Sequence, residues 1–153
     1  MPTIVNSCAF IHIIFSPELT CPMNDIEARN TVFQSISDII KQNRNKPIIV
    51  NGDFDHVHIL FELNPYISLG EIIEKLKTGT EQNAEIGKLI KGFKWQEGYL
   101  AVTEGLSHIR KLKRYIKNQA EYHQLISFRE EYISLLKDNE IEFDPKGLFD
   151  FHP

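Results

Sequence analysis

The chain of 153 residues has few cysteines, no long apolar run and no basic residue near its start, and each of these features excludes a class of protein. Its two cysteines, Cys8 and Cys21, form neither a CxxC pair nor a zinc-type cluster, so both are expected to be reduced and structural. The longest nearly unbroken apolar stretch, Cys8 to Phe15, is far shorter than the ~20 residues that cross a bilayer. The first ten residues contain no Lys or Arg, so we expect no secretory signal. Together these features predict a soluble cytoplasmic protein.

Basic residues are not in excess either, because the formal net charge is −4. The charge is unevenly distributed: residues 1–120 carry 14 Lys and Arg against 13 Asp and Glu, whereas residues 121–153 carry 3 against 8. Just before this acidic part, residues 108–117 (HIRKLKRYIK) hold five basic residues and no acid. A local basic surface is enough for phosphate contacts, so nucleic-acid binding stays open beside the simpler interpretation of a solvated helix face.

Neither a repeat nor a Gly/Ser linker divides the chain, which predicts one domain over residues 1–153 with a core over about 8–137. The remaining residues, 138–153, form a C-terminal extension. Its apolar side chains Phe143, Leu148, Phe149 and Phe151 are available to pack on the core or on a partner.

Apolar periodicity and capping residues predict an alternation of strands and helices. The predicted elements are, in chain order, a strand over 8–15, a helix capped by Asn24 or Asp25, strands over 46–51 and 56–63 joined at the turn-prone pair Gly52-Asp53, a helix capped by Ser68, a strand over 95–102, a helix that carries the basic run, and a short helix capped by Ser127. The order βαββαβ predicts an α+β protein with a ferredoxin-like or RRM-like split βαβ fold. This is an antiparallel sheet with helices on one face, followed here by an added C-terminal helix. Such a fold supports many activities, so function has to come from particular residues.

Two histidines lie two residues apart in the third predicted strand, FDHVHILFEL (54–63). Successive side chains of a strand point to opposite faces, so His56 and His58 share one face while Val57 and Ile59 share the other. With Cα atoms roughly 6–7 Å apart, the two imidazoles can converge on one metal ion. Two polar residues on a partly exposed strand are an equally good interpretation until a third ligand and a nucleophile are found.

The predicted helix that contains the basic run offers a candidate nucleophile and a candidate third ligand. Tyr115 and Gln119 are four residues apart and therefore neighbours on a helix. They lie at the edge of a predicted inward stripe formed by Ile109, Leu112, Ile116 and Ala120. A phosphate that approaches the phenol of Tyr115 would also meet the ammonium of Lys111, which suits phosphoryl transfer. Taken singly, Tyr115 is more often a core-edge aromatic and Gln119 a surface amide, and only their coincidence with HVH favours chemistry.

Several segments together make the chain resemble a known family, the single-tyrosine HUH transposases of the insertion sequence 200 type and their relatives associated with repetitive extragenic palindromes. The segments that carry the resemblance are HIIFS (12–16), NGDFDHVHILFEL (51–63), FKWQEGYLAVTEG (93–105), YIKNQAEYH (115–123) and SFREEYISLL (127–136). In order and spacing they cover nearly the whole chain. In this resemblance the histidine pair falls on His56 and His58, the nucleophile on Tyr115 and the glutamine ligand on Gln119.

The resemblance implies a metal-dependent transposase that cleaves and rejoins single-stranded DNA at hairpin-containing element ends through a 5′-phosphotyrosine. The implied cofactor is Mg²⁺ or Mn²⁺, held by His56, His58 and Gln119. The implied partners are hairpin DNA and a second copy of the chain in a homodimer, at the nucleoid of the bacterial cytoplasm. The residues implied to contact DNA phosphates are Arg110, Lys111, Lys113, Arg114 and Lys117. The sequence has no GxxxxGK[ST] loop, in agreement with a reaction that conserves phosphodiester energy and needs no nucleotide cofactor.

The chain departs from the family pattern at two places. Tyr122 stands where many relatives have a histidine, which is expected to affect the support of the helix rather than the chemistry. The helix with Lys75 and Lys77 continues as TGTEQN (78–83), where relatives often have a serine-rich and more basic segment, so DNA contacts are expected to differ there. The isolated histidines His12, His108 and His123 are interpreted as structural or surface residues rather than ligands.

Three other functions stay open. The first is a domesticated relative that processes or only binds palindromic DNA. The second is a non-catalytic RRM-like module that binds nucleic acid through stacking aromatics. The third is a small metal hydrolase that uses HVH with water as the nucleophile. Candidates for stacking on bases are Phe93, Trp95 and Tyr99, although core packing is the simpler interpretation of these rings.

Overall fold

A four-stranded antiparallel sheet organises residues 5–153, the part of the chain that the computed structural model describes. Its strands are β1 (Phe10–Phe15), β2 (Lys46–Asp53), β3 (His56–Glu62) and β4 (Leu100–Glu104), in the spatial order β2-β3-β1-β4. The helices are α1 (Ile26–Gln42), α2 (Leu69–Glu81), α3 (Ala84–Leu89), α4 (Ile109–Lys117), α5 (Gln119–Tyr122) and α6 (Phe128–Asp138). The predicted split βαβ order with added C-terminal helices is confirmed. Among these residues, every helix is too short or too polar to traverse a bilayer.

One face of the sheet is buried against α1 and α2. Alternate residues of β1 and β3, such as Ile13, Ile59 and Phe61, are fully buried there, together with Ile36 of α1 and Leu76 of α2. The two-residue period of a strand explains why these positions share a face. Each such side chain contributes about 1.5–3 kcal/mol through removal from water, so this layer is the main source of stability.

The fourth strand begins later than predicted. The sequence indicated a strand over 95–102, but β4 starts only after Gly98, whose φ of +86° turns the chain before it joins the sheet. Phe93 and Trp95 pack into the core on the α1 and α2 side, whereas Tyr99 is 45% exposed. The core interpretation of Phe93 and Trp95 is therefore confirmed, and Tyr99 alone of the three presents its ring to solvent.

A tight turn at Phe54 and Asp55 joins β2 to β3, two residues after the predicted pair Gly52-Asp53. Gly52 lies inside β2, where a Cβ atom would collide with the carbonyl oxygen of His56. The close approach of the two strands at this point requires glycine and fixes the position at which β3 begins.

The opposite face of the sheet is covered by α4 and α6. The apolar contacts of α4 are made by Leu112 and Ile116 on Leu60. Those of α6 are made by Phe128, Tyr132 and Leu136 on Ile14 and Leu100. Because this face is also covered, polar side chains that point to it are enclosed and must find partners there.

The C-terminal extension packs on the core of its own chain. Phe149 is buried against α6, with Leu148 and Phe151 beside it. Gln96 and the backbone of Asp150 exchange two hydrogen bonds of 2.7 and 2.8 Å. The extension therefore contacts both α6 and the segment that precedes β4.

Replacing Phe149 by Ala is expected to lower the free energy of unfolding by about 3 kcal/mol, because the lost ring leaves a cavity beside α6. The ring centroid of Phe149 lies 5.0 Å from that of Tyr132. Urea unfolding followed by circular dichroism measures the change. Tyr66→Ala is the control, since that side chain is 74% exposed, and it should shift stability by less than about 0.5 kcal/mol. An unchanged midpoint for Phe149→Ala would show that the extension does not support α6.

Candidate active site

His56 and His58 begin the site on the sheet face covered by α4 and α6. Both side chains are fully buried, and their ring centroids are 5.1 Å apart with the planes nearly perpendicular. The prediction that they share a face is confirmed. The alternative of polar residues on a partly exposed strand is wrong, because neither ring reaches solvent.

Both rings are held by neighbours that fix which nitrogen faces the site. The carboxylate of Asp55 lies 2.8 Å from Nδ1 of His56, and the ring of Phe128 stacks on His56 with centroids 4.2 Å apart. Nδ1 of His58 shares a hydrogen bond of 2.8 Å with Nε2 of His12. Each of the two β3 histidines therefore directs Nε2 towards α5 and α6.

The predicted helix of the basic run is broken after Lys117, and Gln119 begins the short helix α5. The side-chain amide of Asn51 in β2 donates to the carbonyl oxygens of Ile116 at 3.0 Å and Lys117 at 3.2 Å, groups that the helix end leaves without partners. The break rotates the chain, so Gln119 is fully buried while Ala120, predicted on the inward stripe, is exposed. Periodicity failed here because it assumes one continuous helix.

The structure brings the four residues singled out in the sequence to one place. Oε1 of Gln119 lies 2.7 Å from Nε2 of His56. The ring of Tyr115 meets that of His58 edge-on, with centroids 5.8 Å apart. The Tyr115 hydroxyl donates a hydrogen bond to the carboxylate of Glu131.

Glu131 of α6 lies at the centre of the cluster and was missed by the sequence analysis. Its side chain is 1% exposed. Its partners are Nε2 of His56 (3.4 Å), Nε2 of His58 (3.1 Å), Nε2 of His123 (3.2 Å), Nε2 of Gln119 (3.1 Å) and the hydroxyl of Tyr115. A signal for it was present, because positions 128, 131, 132, 135 and 136 have the spacing of one buried helix face. An acid on such a face needs a buried partner.

The charge on Glu131 is stabilised by imidazoles. Burial opposes ionisation, but His58, His123 and His56 outweigh it and lower the pKa of the Glu131 carboxyl. Burial also opposes charge on His123, yet the hydrogen bond and the negative charge of Glu131 raise the pKa of that imidazole. Nδ1 of His123 donates at 2.7 Å to the carbonyl oxygen of Ile126. His123 is thus a hydrogen-bonded partner of the Glu131 carboxylate.

For His58 and Tyr115, by contrast, burial is the dominant cause of the pKa shift and favours the neutral form. It lowers the pKa of His58 to about 4 despite the nearby carboxylate, so this imidazole is neutral at pH 7. Burial together with the negative charge of Glu131 raises the pKa of Tyr115. The phenol is therefore protonated in this arrangement and directs its hydrogen at Glu131.

The donor atoms fit a divalent cation. A ring nitrogen of His56, one of His58 and a carboxylate oxygen of Glu131 lie within 4.8 Å of one another, with the amide oxygen of Gln119 beside them. Neighbouring ligands of an octahedral ion bound at about 2.1 Å are about 3 Å apart, and the oxygens of Gln119 and Glu131 lie 2.7–3.4 Å from the ring nitrogens. When His56 donates its Nδ1 proton to Asp55, its Nε2 lone pair faces the oxygen of Gln119, and converging acceptors of this kind suit a cation.

The five basic residues implied to contact DNA lie on the outer face of α4. Arg110, Lys111, Lys113, Arg114 and Lys117 are all exposed. A cavity of about 300 Å³ beside them includes Lys111, Tyr115, His12 and Glu104 in its lining. Of the five basic residues only Lys111 lines this cavity, which also includes Asp138, so solvent reaches Tyr115 through an opening of mixed charge.

Comparisons with known proteins agree with this architecture. The model of the sequence family described as "Transposase IS200 like" matches residues 5–119. Among solved structures, a putative transposase from Deinococcus radiodurans R1 superposes with a TM-score of 0.59 at 17% identity, covering 78% of this chain and 96% of the other. A REP-associated tyrosine transposase bound to a REP hairpin superposes with a TM-score of 0.55 at 9% identity, covering 82% and 76%. Both structures share the fold. No curated protein matched the sequence.

Glu131→Gln is expected to lower the pKa of His123, because the variant removes the charge that raises it and leaves only the weaker effects of the Ile126 carbonyl and Asp55 to oppose burial. An NMR titration of the histidine ring protons measures this pKa. The free energy of unfolding should fall by about 1–3 kcal/mol, since a buried hydrogen-bonded charge is lost. Glu130→Gln, an exposed neighbour on the same helix, should leave both quantities unchanged. A His123 pKa that stays raised in Glu131→Gln would contradict the ion pair.

Proposed function

Because the chain belongs to the family of IS200-like transposases, we propose that it cleaves and rejoins single-stranded DNA with Tyr115 as the nucleophile. The proposal extends family membership to a mechanism of the HUH type with a covalent 5′-phosphotyrosine. It assigns a role to each side chain of the cluster described above.

One observation carries the proposal. The hydroxyl of Tyr115 and the two imidazoles of His56 and His58 contact the same carboxylate, that of Glu131, within a single chain. A phosphate held beside the histidine pair is therefore within reach of the phenol without a tyrosine from a second subunit. The homodimer stays a prediction, and this geometry does not require it for catalysis.

We assign the divalent cation, Mg²⁺ or Mn²⁺, to His56, His58 and Glu131, with Gln119 as a further oxygen ligand. The amide oxygen of Gln119 and the carboxylate of Glu131 are the hard oxygen donors that these ions prefer. When bound, the ion would neutralise charge on the phosphoryl oxygens and hold the scissile phosphate. The sequence resemblance pointed to Gln119 alone as the third ligand, and the position of Glu131 adds a second candidate.

The side chains supply the remaining requirements of a reversible cleavage. Oη of Tyr115 attacks the phosphorus, and the bond from phosphorus to the 3′ oxygen of the preceding nucleotide breaks. The phenolic proton, which points at the Glu131 carboxylate before the reaction, is lost to water because that carboxylate is a weak base, and the departing 3′ oxygen takes up a proton from water as a hydroxyl. A second 3′-hydroxyl then attacks the phosphotyrosine and releases the phenol. A phenol of pKa ~10 leaves more easily than an alcohol, which permits rejoining.

Hairpin-containing single-stranded DNA is the substrate we propose. A protein with the same fold, the REP-associated tyrosine transposase, was solved with a REP hairpin bound. In this chain Lys111, one of the exposed basic residues of α4, lines the cavity that reaches Tyr115, so a DNA backbone bound along α4 would pass close to the phenol.

Tyr115→Phe is expected to abolish covalent attachment to DNA, because the attacking oxygen is removed while the ring still packs beside His58. Labelled single-stranded DNA with a hairpin, incubated with Mn²⁺ and run on a denaturing gel, reveals the adduct. EDTA should suppress it in the wild type. Tyr122→Phe is the matched control, since its ring centroid lies 5.1 Å from that of Tyr115 and it is the nearest alternative phenol in the site.

Each other outcome of that gel identifies a competing function. An adduct retained in Tyr115→Phe would remove Tyr115 as the nucleophile. Cleavage without an adduct would indicate a metal hydrolase that uses water. Binding with neither cleavage nor an adduct would indicate a domesticated or non-catalytic binding module.

The double variant Lys113→Gln, Arg114→Gln is expected to weaken binding of single-stranded DNA and to lower the slope of log affinity against log salt by about 1.4, since each lost phosphate contact contributes about 0.7. Fluorescence anisotropy at several salt concentrations measures the slope. Lys88→Gln on α3, whose ammonium pairs with Glu85, is the control. Equal slopes for the double variant and the wild type would exclude these two side chains from the DNA-binding surface.

A further inference from the structure

Three polar residues form a diagonal row across three neighbouring strands on the site face of the sheet. His12 of β1 lies opposite Leu60 of β3 and Val102 of β4. His58 precedes Leu60 by two residues and Glu104 follows Val102 by two, so all three polar side chains point to the same face. The row runs from His58 through His12 to Glu104.

The contacts along the row leave Nδ1 of His12 without a hydrogen-bond partner among the described residues. His12 is 1% exposed, its Nε2 shares the 2.8 Å hydrogen bond with Nδ1 of His58, and the two rings stack with centroids 5.1 Å apart. Nδ1 of His12 is buried and has no hydrogen-bond partner among residues 5–153. The nearest charge to it is the carboxylate of Glu104, at 3.9 Å, which is too long for a hydrogen bond and short enough for strong attraction.

This arrangement couples the proton positions of the two imidazoles. A negative charge beside Nδ1 of His12 favours the tautomer that carries its proton there, and Nε2 of His12 is then an acceptor. The acceptor requires the proton of His58 to lie on Nδ1, and this leaves the Nε2 lone pair of His58 free to face the site. Glu131, 3.1 Å from Nε2 of His58, favours the opposite tautomer as long as no cation lies between them.

We propose that His12 and Glu104 are positioning residues that hold His58 in the tautomer able to bind the divalent cation. The proposal rests on the proposed metal site and extends it by two side chains from other strands. It also gives a reason for the buried nitrogen of His12: the atom carries the proton that faces the negative charge of Glu104. A carboxylate commonly orients a ligating histidine, and here the charge of Glu104 acts across 3.9 Å and through an additional imidazole.

Affinity for Mn²⁺ alone, measured from the electron paramagnetic resonance signal of the free ion, tests the proposal without DNA. Glu104→Gln and His12→Phe are each expected to weaken binding about tenfold or more, as losses of such supporting partners do. His12→Gln should recover much of the affinity, since its amide oxygen can accept from Nδ1 of His58. Glu62→Gln is the matched control, because Glu62 lies opposite Phe10 as Glu104 does but on the other side of β1.

Ring-nitrogen NMR of the Mg²⁺-loaded protein supplies a readout that a merely structural role would not change. His58 and His12 should both carry their proton on Nδ1, and Glu104→Gln should move His12 towards the Nε2 tautomer at an unchanged melting temperature. Wild-type affinity in Glu104→Gln, a wild-type protein that binds no Mn²⁺, or a loaded His12 protonated on Nε2 would each overturn the proposal. A protein that binds Mn²⁺ as expected but forms no DNA adduct would instead overturn the proposed function and leave this inference standing.

Discussion

The buried carboxylate of Glu131 is the interaction on which the arrangement of the site depends. An isolated carboxylate in a protein interior costs more free energy than the net stability of a domain supplies, so α6 can pack on the sheet only where partners for Glu131 are already placed. Those partners come from β3, α4, α5 and the loop after α5. The residues with which we propose the chain performs its chemistry are thus also the residues that permit α6 to dock.

The sheet register decides which side chains can serve as partners. The alternation of β3 that buries Val57 and Ile59 in the core also directs His56 and His58 to the other face. The same register brings His12 of β1 beside His58. A slip of one residue in either strand would exchange the two faces and place imidazoles in the apolar layer. Hydrophobic packing on one face of the sheet therefore fixes the position of the imidazoles on the other face.

The sequence was informative wherever a single element determined the outcome. Strand alternation placed His56 and His58 together, and segment resemblance identified Tyr115 and Gln119, because both depend on local spacing. Prediction from the sequence failed where a residue that is distant in the chain determines the end of a helix or strand or the partner of a side chain. The end of α4 is set by Asn51 from β2, more than sixty residues earlier in the chain. A helical wheel drawn through Ala120 does not include that contact. Glu131 was overlooked for a related reason: an acid on an apolar stripe signals a buried partner, but only the fold shows that the partner is the histidine pair.

In the proposed function, groups of opposite charge would serve the binding of DNA and its cleavage. The exposed basic side chains of α4 would attract phosphate, whereas the site beneath them holds an ionised Glu131 beside a neutral His58. Two like charges 4 Å apart repel by about 4 kcal/mol at an effective dielectric near 20, which is comparable to the attraction of several exposed basic side chains. In the proposed function, a cation held between Glu131 and the phosphate would lower this repulsion and favour entry of the phosphate into the site. The same cation would oppose the negative charge of Glu131 that, after burial, raises the pKa of the Tyr115 phenol, so in the proposed function one ion would assist both substrate entry and deprotonation of Tyr115.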